Sequence, residues 1–188
     1  MVARNELEQG ARMQFSVGDK VVHPHRGPGR IVDMEDKSFL NERKQYFVVE
    51  LSMQEITMHI PVGRMTELEV RPAMPQAKVD RVLDILRSKP RRLPQDYKER
   101  QERVWEKIRA HHPIPTAEAV RDLTWRGQSA HLTKRDSELL QQGQQFLAAE
   151  VALVSDSELA EANERITAAL QIAMAGMVER ERHQQQPA

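Results

Sequence analysis

The hydrophobic period of this chain changes once, near residues 71–75, and that change limits the folds open to it. Upstream lie short runs rich in β-branched residues: KVVH (20–23), GRIVDMED (29–36), KQYFVVEL (44–51), EITMHI (55–60) and LEVR (68–71). HRGPG, the polar LNER and the short SMQ separate them, which is the punctuation of tight turns between strands. From Met74 onward Val79, Val82, Leu83 and Leu86 recur at helical spacing instead. A chain patterned first for strands and then for helices predicts an α+β protein. Five strands within residues 15–71 predict a small, strongly bent barrel of the SH3 or Tudor type, a shape that mostly binds and seldom catalyses.

About five helices are expected after the barrel. SKP (88–90) ends the first, because proline disfavours helical geometry in the residue before it. A second should run from about Gln95 to about Ala110, with Tyr97, Gln101, Val104, Trp105 and Ile108 on one face. HHPIPT (111–116) breaks it, and Thr116 is expected to cap a short helix ending at Gly127. Thr133 with Asp136 predicts a capped helix bearing Leu139, Leu140, Phe146, Leu147 and Val151. Ser155 with Glu158 predicts another cap, opening a last helix with Leu159, Ile166, Leu170 and Ala173. The expected divisions are a disordered extension (1–14), a barrel (15–72), a helical domain (73–178) and a frayed polar tail (179–188).

Composition narrows the function. The 188 residues contain no cysteine, which removes disulfides and thiolate chemistry, and no apolar run approaches the roughly 20 residues of a membrane span. MVARNELEQGARMQ lacks the apolar stretch of a secretory signal, so a cytoplasmic location is expected. Formal net charge is zero, but it is segregated: −1 over residues 1–75, +5 over 76–127 and −4 over 128–188. A cationic middle segment is a modest pointer to an anionic partner.

Catalytic patterns are weak. His23 and His25 share a strand end and His111 and His112 share a loop, but a metal needs three or four converging ligands, so these are expected as surface histidines and no metal or other cofactor is expected. RGPGR lacks the lysine and hydroxyl residue of a phosphate loop and reads as a turn. GxSxG and HExxH do not occur. No enzyme activity and no small-molecule substrate are expected.

Read as one pattern, FSVGDKVVHPHRGPGRI (15–31), QYFVVEL (45–51) and ITMHIPV (56–62) resemble the bacterial CarD/CdnL family of transcription regulators. Its N-terminal module also occurs in transcription-repair coupling factors. LPQDYKERQERVWEKI (93–108), AVRDLTWR (119–126) and LLQQGQQFLAAEVALV (139–154) resemble successive parts of the family's helical domain, so the resemblance covers roughly residues 15 to 170.

The resemblance implies that the barrel docks on the β subunit of RNA polymerase along a strand edge. Here that edge would be Met58, His59, Ile60 and Pro61, with Lys37 across from it. His59 stands where relatives often carry arginine, which removes a fixed charge and a forked donor. The resemblance further implies that the helical domain meets promoter DNA at the upstream edge of the melted region, stabilising the open complex with an aromatic wedge in the minor groove. Tyr97 stands where the family has that tryptophan. Tyr97 is also in phase with Val104, Trp105 and Ile108, so the local pattern offers core packing as readily as a wedge. Trp105 and Trp125 are expected in the core.

RRLPQDYKER (91–100) is cationic where a helix begins. Arg91, Arg92, Lys98, Arg100, Arg103 and Arg126 are the expected DNA contacts, with the helix N-terminus adding backbone N–H groups. Glu99 and Glu102 dilute the patch and offer partners to Arg103. Binding to free DNA should be weak and salt-sensitive, and significant only when tethered to polymerase. The alternative is a protein-only adaptor whose helices touch other proteins and no DNA.

Overall fold

The computed structural model describes residues 15–39, 42–53 and 56–185. The expected N-terminal extension and parts of the LNER and SMQ turns lie outside the described residues. Five strands, β1 (Lys20–His23), β2 (Gly27–Phe39), β3 (Glu42–Leu51), β4 (Ile56–Pro61) and β5 (Arg71–Pro72), form one antiparallel sheet in the order β4-β3-β2-β1-β5. HRGPG is a turn running straight into β2. Gly27 takes φ 86°, and a Cβ on Gly29 would lie 2.4 Å from the Glu50 carbonyl oxygen, so the β2–β3 approach demands glycine there. A bulge between Ile31 and Asp33 shifts the β2–β3 register and bends the pair.

Inward residues Val21, Ile31, Phe47, Val49, Leu51 and Ile60 meet Phe15, Met65 and Val70 in the sheet core. Full burial of one such side chain stabilises by about 1.5–3 kcal/mol. Two boundaries differ from expectation. The β2–β3 pair extends further, because ladder hydrogen bonds continue past the core into a charged ribbon around Asp36 and Arg43. The fifth strand shrinks to Arg71–Pro72: Leu68 and Val70 donate backbone bonds to Arg64 and Met65 at 2.9 Å, which winds the preceding residues into a turn.

Five helices follow: α1 (Val79–Arg87), α2 (Tyr97–Arg109), α3 (Pro113–Ser129), α4 (Lys134–Ser155) and α5 (Leu159–Gln185). Ser88 is extended before the buried Pro90, and α1 stops as the sequence indicates. Thr133 and Asp136 form the expected capping box at the start of α4. Thr116 does not cap α3. Pro113 occupies the first helical position, where its missing N–H costs nothing, and Thr116 is buried in the first turn. Ser155 does not cap α5 either. It ends α4, Asp156 turns the chain at φ 49°, and α5 begins at Leu159 and continues through Gln185, beyond the expected tail boundary. Gly143 lets α4 approach α3, since a Cβ there would sit 2.7 Å from Val120 Cγ2.

Among the described residues two carboxylates of the bundle, Glu150 and Asp156, form ion pairs with the sheet. Glu150 of α4, fully buried, accepts from both Arg71 terminal nitrogens (2.9 and 2.8 Å) and from the Met74 backbone N–H at 2.8 Å. The same guanidinium donates to the His111 carbonyl through Nε at 3.1 Å, tying the end of α2 to β5. Asp156 binds Lys20 and Arg30, each at 2.7 Å, from the α4–α5 turn. Those two cations, Lys20 first, hold the Asp156 carboxyl below its ordinary pKa.

Candidate nucleic-acid and protein interfaces

The strand edge expected to dock is the outer strand of the sheet. Among the described residues β4 pairs with β3 alone, which leaves its other side available to an added strand. Alternation decides what each residue presents. His59 is exposed, Met58 and Pro61 are half-buried, and the Ile60 side chain is 2% exposed in the core. Ile60 is therefore a correction: it can offer backbone groups to a partner, while its side chain belongs to the sheet core. Lys37 does reach His59, with Nζ 2.9 Å from Nδ1. An ammonium only donates, so Nδ1 is the accepting nitrogen and Nε2 carries the proton. Glu35 lies 3.2 Å from Lys37 and 3.5 Å from His59.

On the helical side the expected DNA residues divide into three groups. Arg91 and Arg92, from the segment between α1 and α2, meet Arg126 from the last turn of α3 around one groove. Its volume is about 480 Å³, and Leu93, Gln95, Asp122, Trp125, Ser129 and Ala130 complete the lining. Asp122 is neutralised from beneath by Arg121, whose Nε donates at 2.8 Å, and it also accepts from the Arg91 backbone N–H at 2.9 Å. Arg126 donates weakly to the Gln95 side-chain oxygen at 3.5 Å, while its buried Nε–H has no partner among the described residues. Trp125 is 9% exposed, a core residue as expected, and its accessible part lines the groove.

The second group lies on the outer surface of α2. Tyr97, at the first helical position, is 51% exposed. It has the right phase for the core but overhangs the end of the bundle. Lys98 lies 6.0 Å from its ring centroid. Arg103 pairs with Glu99 at 2.6 Å, the arrangement expected to dilute the patch. The helix end itself is less open than expected, because the Asp96 carboxylate accepts the Glu99 N–H at 2.9 Å.

Arg100 stands alone in the third group and is corrected outright. Its side chain is 2% exposed and gives Nε and Nη2 to Asp136 at 3.2 and 2.8 Å. Nη1 binds the Pro94 and Gln95 carbonyls at 3.0 and 2.9 Å. Four of its five N–H groups are engaged, and burial keeps the whole guanidinium from a phosphate. Arg100 instead holds the turn that delivers Gln95 to the groove and Tyr97 to the surface. Burial pushes the Asp136 carboxyl up, but Arg100 and the Thr133 N–H and hydroxyl outweigh it and hold the pKa below the ordinary value.

Two aromatic expectations also change. Trp105 is 38% exposed, with the Arg135 guanidinium 5.6 Å from its ring centroid, because it flanks the buried stripe of Val104 and Ile108. His23 is buried, and its Nδ1 accepts the His25 backbone N–H at 3.1 Å. Among the described residues no three potential ligands converge to hold a metal.

The CarD-like/TRCF RID domain model matches residues 15–74, and the model of the CarD C-terminal domain matches residues 81–167. The chain belongs to the CarD-like family. Both of its modules are present in family order, and their junction falls where the hydrophobic period changes. CarD-like proteins are transcription regulators that interact with RNA polymerase. YdeB of Bacillus subtilis (strain 168), whose name marks it as a candidate transcription factor, is 29% identical over 142 residues, covering 74% of this chain and 92% of its own. Among the described residues no helix is long and apolar enough to cross a membrane. Sequence reasoning did not bring Leu93, Gln95, Asp122, Trp125 and Ser129 to the groove; the advance signals were that Gln95 lies two residues before Tyr97 and Trp125 next to Arg126.

Proposed function

We propose that this protein docks on the RNA polymerase β subunit through the β4 edge and stabilises the promoter open complex by contacts of the helical domain at the upstream edge of the bubble. The observation that carries the reading is the convergence of Arg91, Arg92 and Arg126 on one groove, with Tyr97 exposed two residues beyond Gln95 in the groove wall. The arginines suit backbone phosphates, which position a protein without reading sequence. The Tyr97 ring suits an unstacked base step, where an aromatic wedge is worth about a few kcal/mol. The effect on melting is limited to the difference in affinity for closed and melted DNA. With few free cations, binding to DNA alone is weak, and the polymerase tether supplies the local concentration.

Open-complex lifetime on purified polymerase tests this. Tyr97→Ala shortens it about tenfold, equivalent to roughly 1.4 kcal/mol, while polymerase affinity stays the same. His59→Ala lowers polymerase affinity instead. An unchanged lifetime with Tyr97→Ala would sink the wedge.

The exposed Trp105–Arg135 pair favours a second reading, the adaptor, because exposed Trp and Arg side by side are typical of protein-binding hot spots. Crosslinking from position 97 separates them. Crosslinks to DNA upstream of the bubble support the first reading, and intact polymerase binding without DNA crosslinks supports the second.

A further inference from the structure

The groove between the α1–α2 segment and the end of α3 holds more than a duplex phosphate contact requires. Its volume of about 480 Å³ falls within the range of roughly 300–1,000 Å³ typical of pockets for small organic ligands. Its lining is mixed: the cations Arg91, Arg92 and Arg126, the apolar Leu93 and the accessible part of the Trp125 indole, and the neutral hydrogen-bonding groups of Gln95 and Ser129.

Charge inside the groove favours an anion. Asp122 is the one carboxylate in the lining, and Arg121 pairs with it at 2.7 Å from the buried side. The three remaining guanidinium groups therefore stand uncompensated by any lining residue. The last turn of α3 opposes an anion with a partial charge of about −0.5, small beside three cations. Ser129 already donates its hydroxyl toward the Trp125 and Arg126 carbonyls, at 3.4 and 3.3 Å, which reduces that opposition further. The buried Arg126 Nε–H, unpartnered among the described residues, leaves a donor at the groove that an anionic oxygen can satisfy.

We propose that this pocket binds a nucleoside phosphate, with the phosphate on Arg91, Arg92 and Arg126 and the sugar or base against Trp125 and Leu93. The inference deepens the promoter reading and rests on it for one source of the ligand: a single unpaired nucleotide of the melted strand. A free nucleotide is the other source of the same chemistry.

The chain contains two tryptophans, Trp105 and Trp125, so Trp105→Phe leaves Trp125 as the sole indole reporter. Full-length Trp105→Phe protein is titrated with deoxynucleoside monophosphates, with a short single-stranded oligonucleotide, with the matching duplex and with inorganic phosphate. Saturable quenching by the nucleotide or the single strand is expected, with at least tenfold weaker response to duplex and to phosphate. Binding should weaken steeply between about 50 and 200 mM salt. Preference for the single strand over the mononucleotide assigns the site to melted DNA, and the reverse assigns it to a soluble nucleotide. Arg126→Met should abolish the quenching. Arg91→Ala/Arg92→Ala, both at exposed positions, should do the same with an unchanged melting temperature, which excludes misfolding as the cause. Equal response to phosphate and nucleotide overturns the nucleoside part of the proposal. Absence of any response, while Tyr97 still crosslinks to DNA in the polymerase complex, overturns the pocket and leaves the promoter reading standing.

Discussion

Arg100 and Arg103 sit one turn apart on α2 and do opposite work. Arg103 faces water and shares its charge with Glu99 across a solvated i,i+4 pair. Arg100 faces inward, sealed between α2 and the start of α4, and spends its donors on Asp136 and two carbonyls. The same division runs along the whole helix. Val104 and Ile108 continue the inner face, while Tyr97, Lys98 and Trp105 lie outside it. A cation's position in a basic run therefore says little about its task; the neighbours it meets across the bundle decide that.

The largest expected effect breaks the inner face. Arg100→Met leaves the Asp136 carboxylate buried without its partner, a loss of about 3–5 kcal/mol. At about 2–4 °C per kcal/mol for a chain of this size, thermal unfolding should fall on the order of 10 °C. Arg100→Met/Asp136→Asn should recover part of it, because no buried charge remains and the Asn side chain still caps.

Acid sharpens the comparison next, at the end of the same helix. Burial first, then the nearby charges of His25, Arg71, His112 and His23, push the His111 pKa down to about 4. The unfolded chain takes up this proton near pH 6.5, so it binds more protons than the native state below that value. Stability is complete above pH 6.5 and declines toward pH 4. His23, lowered by burial and then by His25 and Arg26, adds to the loss in the same direction. His111→Asn, which tolerates the φ of 47° found there, should flatten this part of a melting-temperature curve against pH.

The smallest effects belong outside. Arg103→Ala should change stability by about 0.5 kcal/mol or less in chemical denaturation, as solvated pairs do. A cost of several kcal/mol would show that the outer face is structural after all.

Much of the architecture was legible because it depends on residues close together in sequence. The switch of period near 71–75, the Thr133–Asp136 cap and the stop at Ser88 each need only a few neighbouring positions, and each appears in the fold. Thr116 and Ser155 had equally good local credentials and lost, one to Pro113 at the helix start and the other to the extra turn of α4. The Met58–Pro61 edge came from the family resemblance, and the alternation that exposes His59 and buries Ile60 is seen only in the folded strand.

By itself the sequence determined a strand-patterned module followed by helices, a cationic middle and an aromatic residue at the start of α2. Tertiary structure alone decided that Arg100 is a buried strut, that Trp105 is outside and Trp125 within, and that Arg91, Arg92 and Arg126 share one groove. Period and capping are set by contacts a turn or two away. Burial of a charge and convergence of three cations depend on residues some 35 positions apart, whose meeting is settled only when the helices pack.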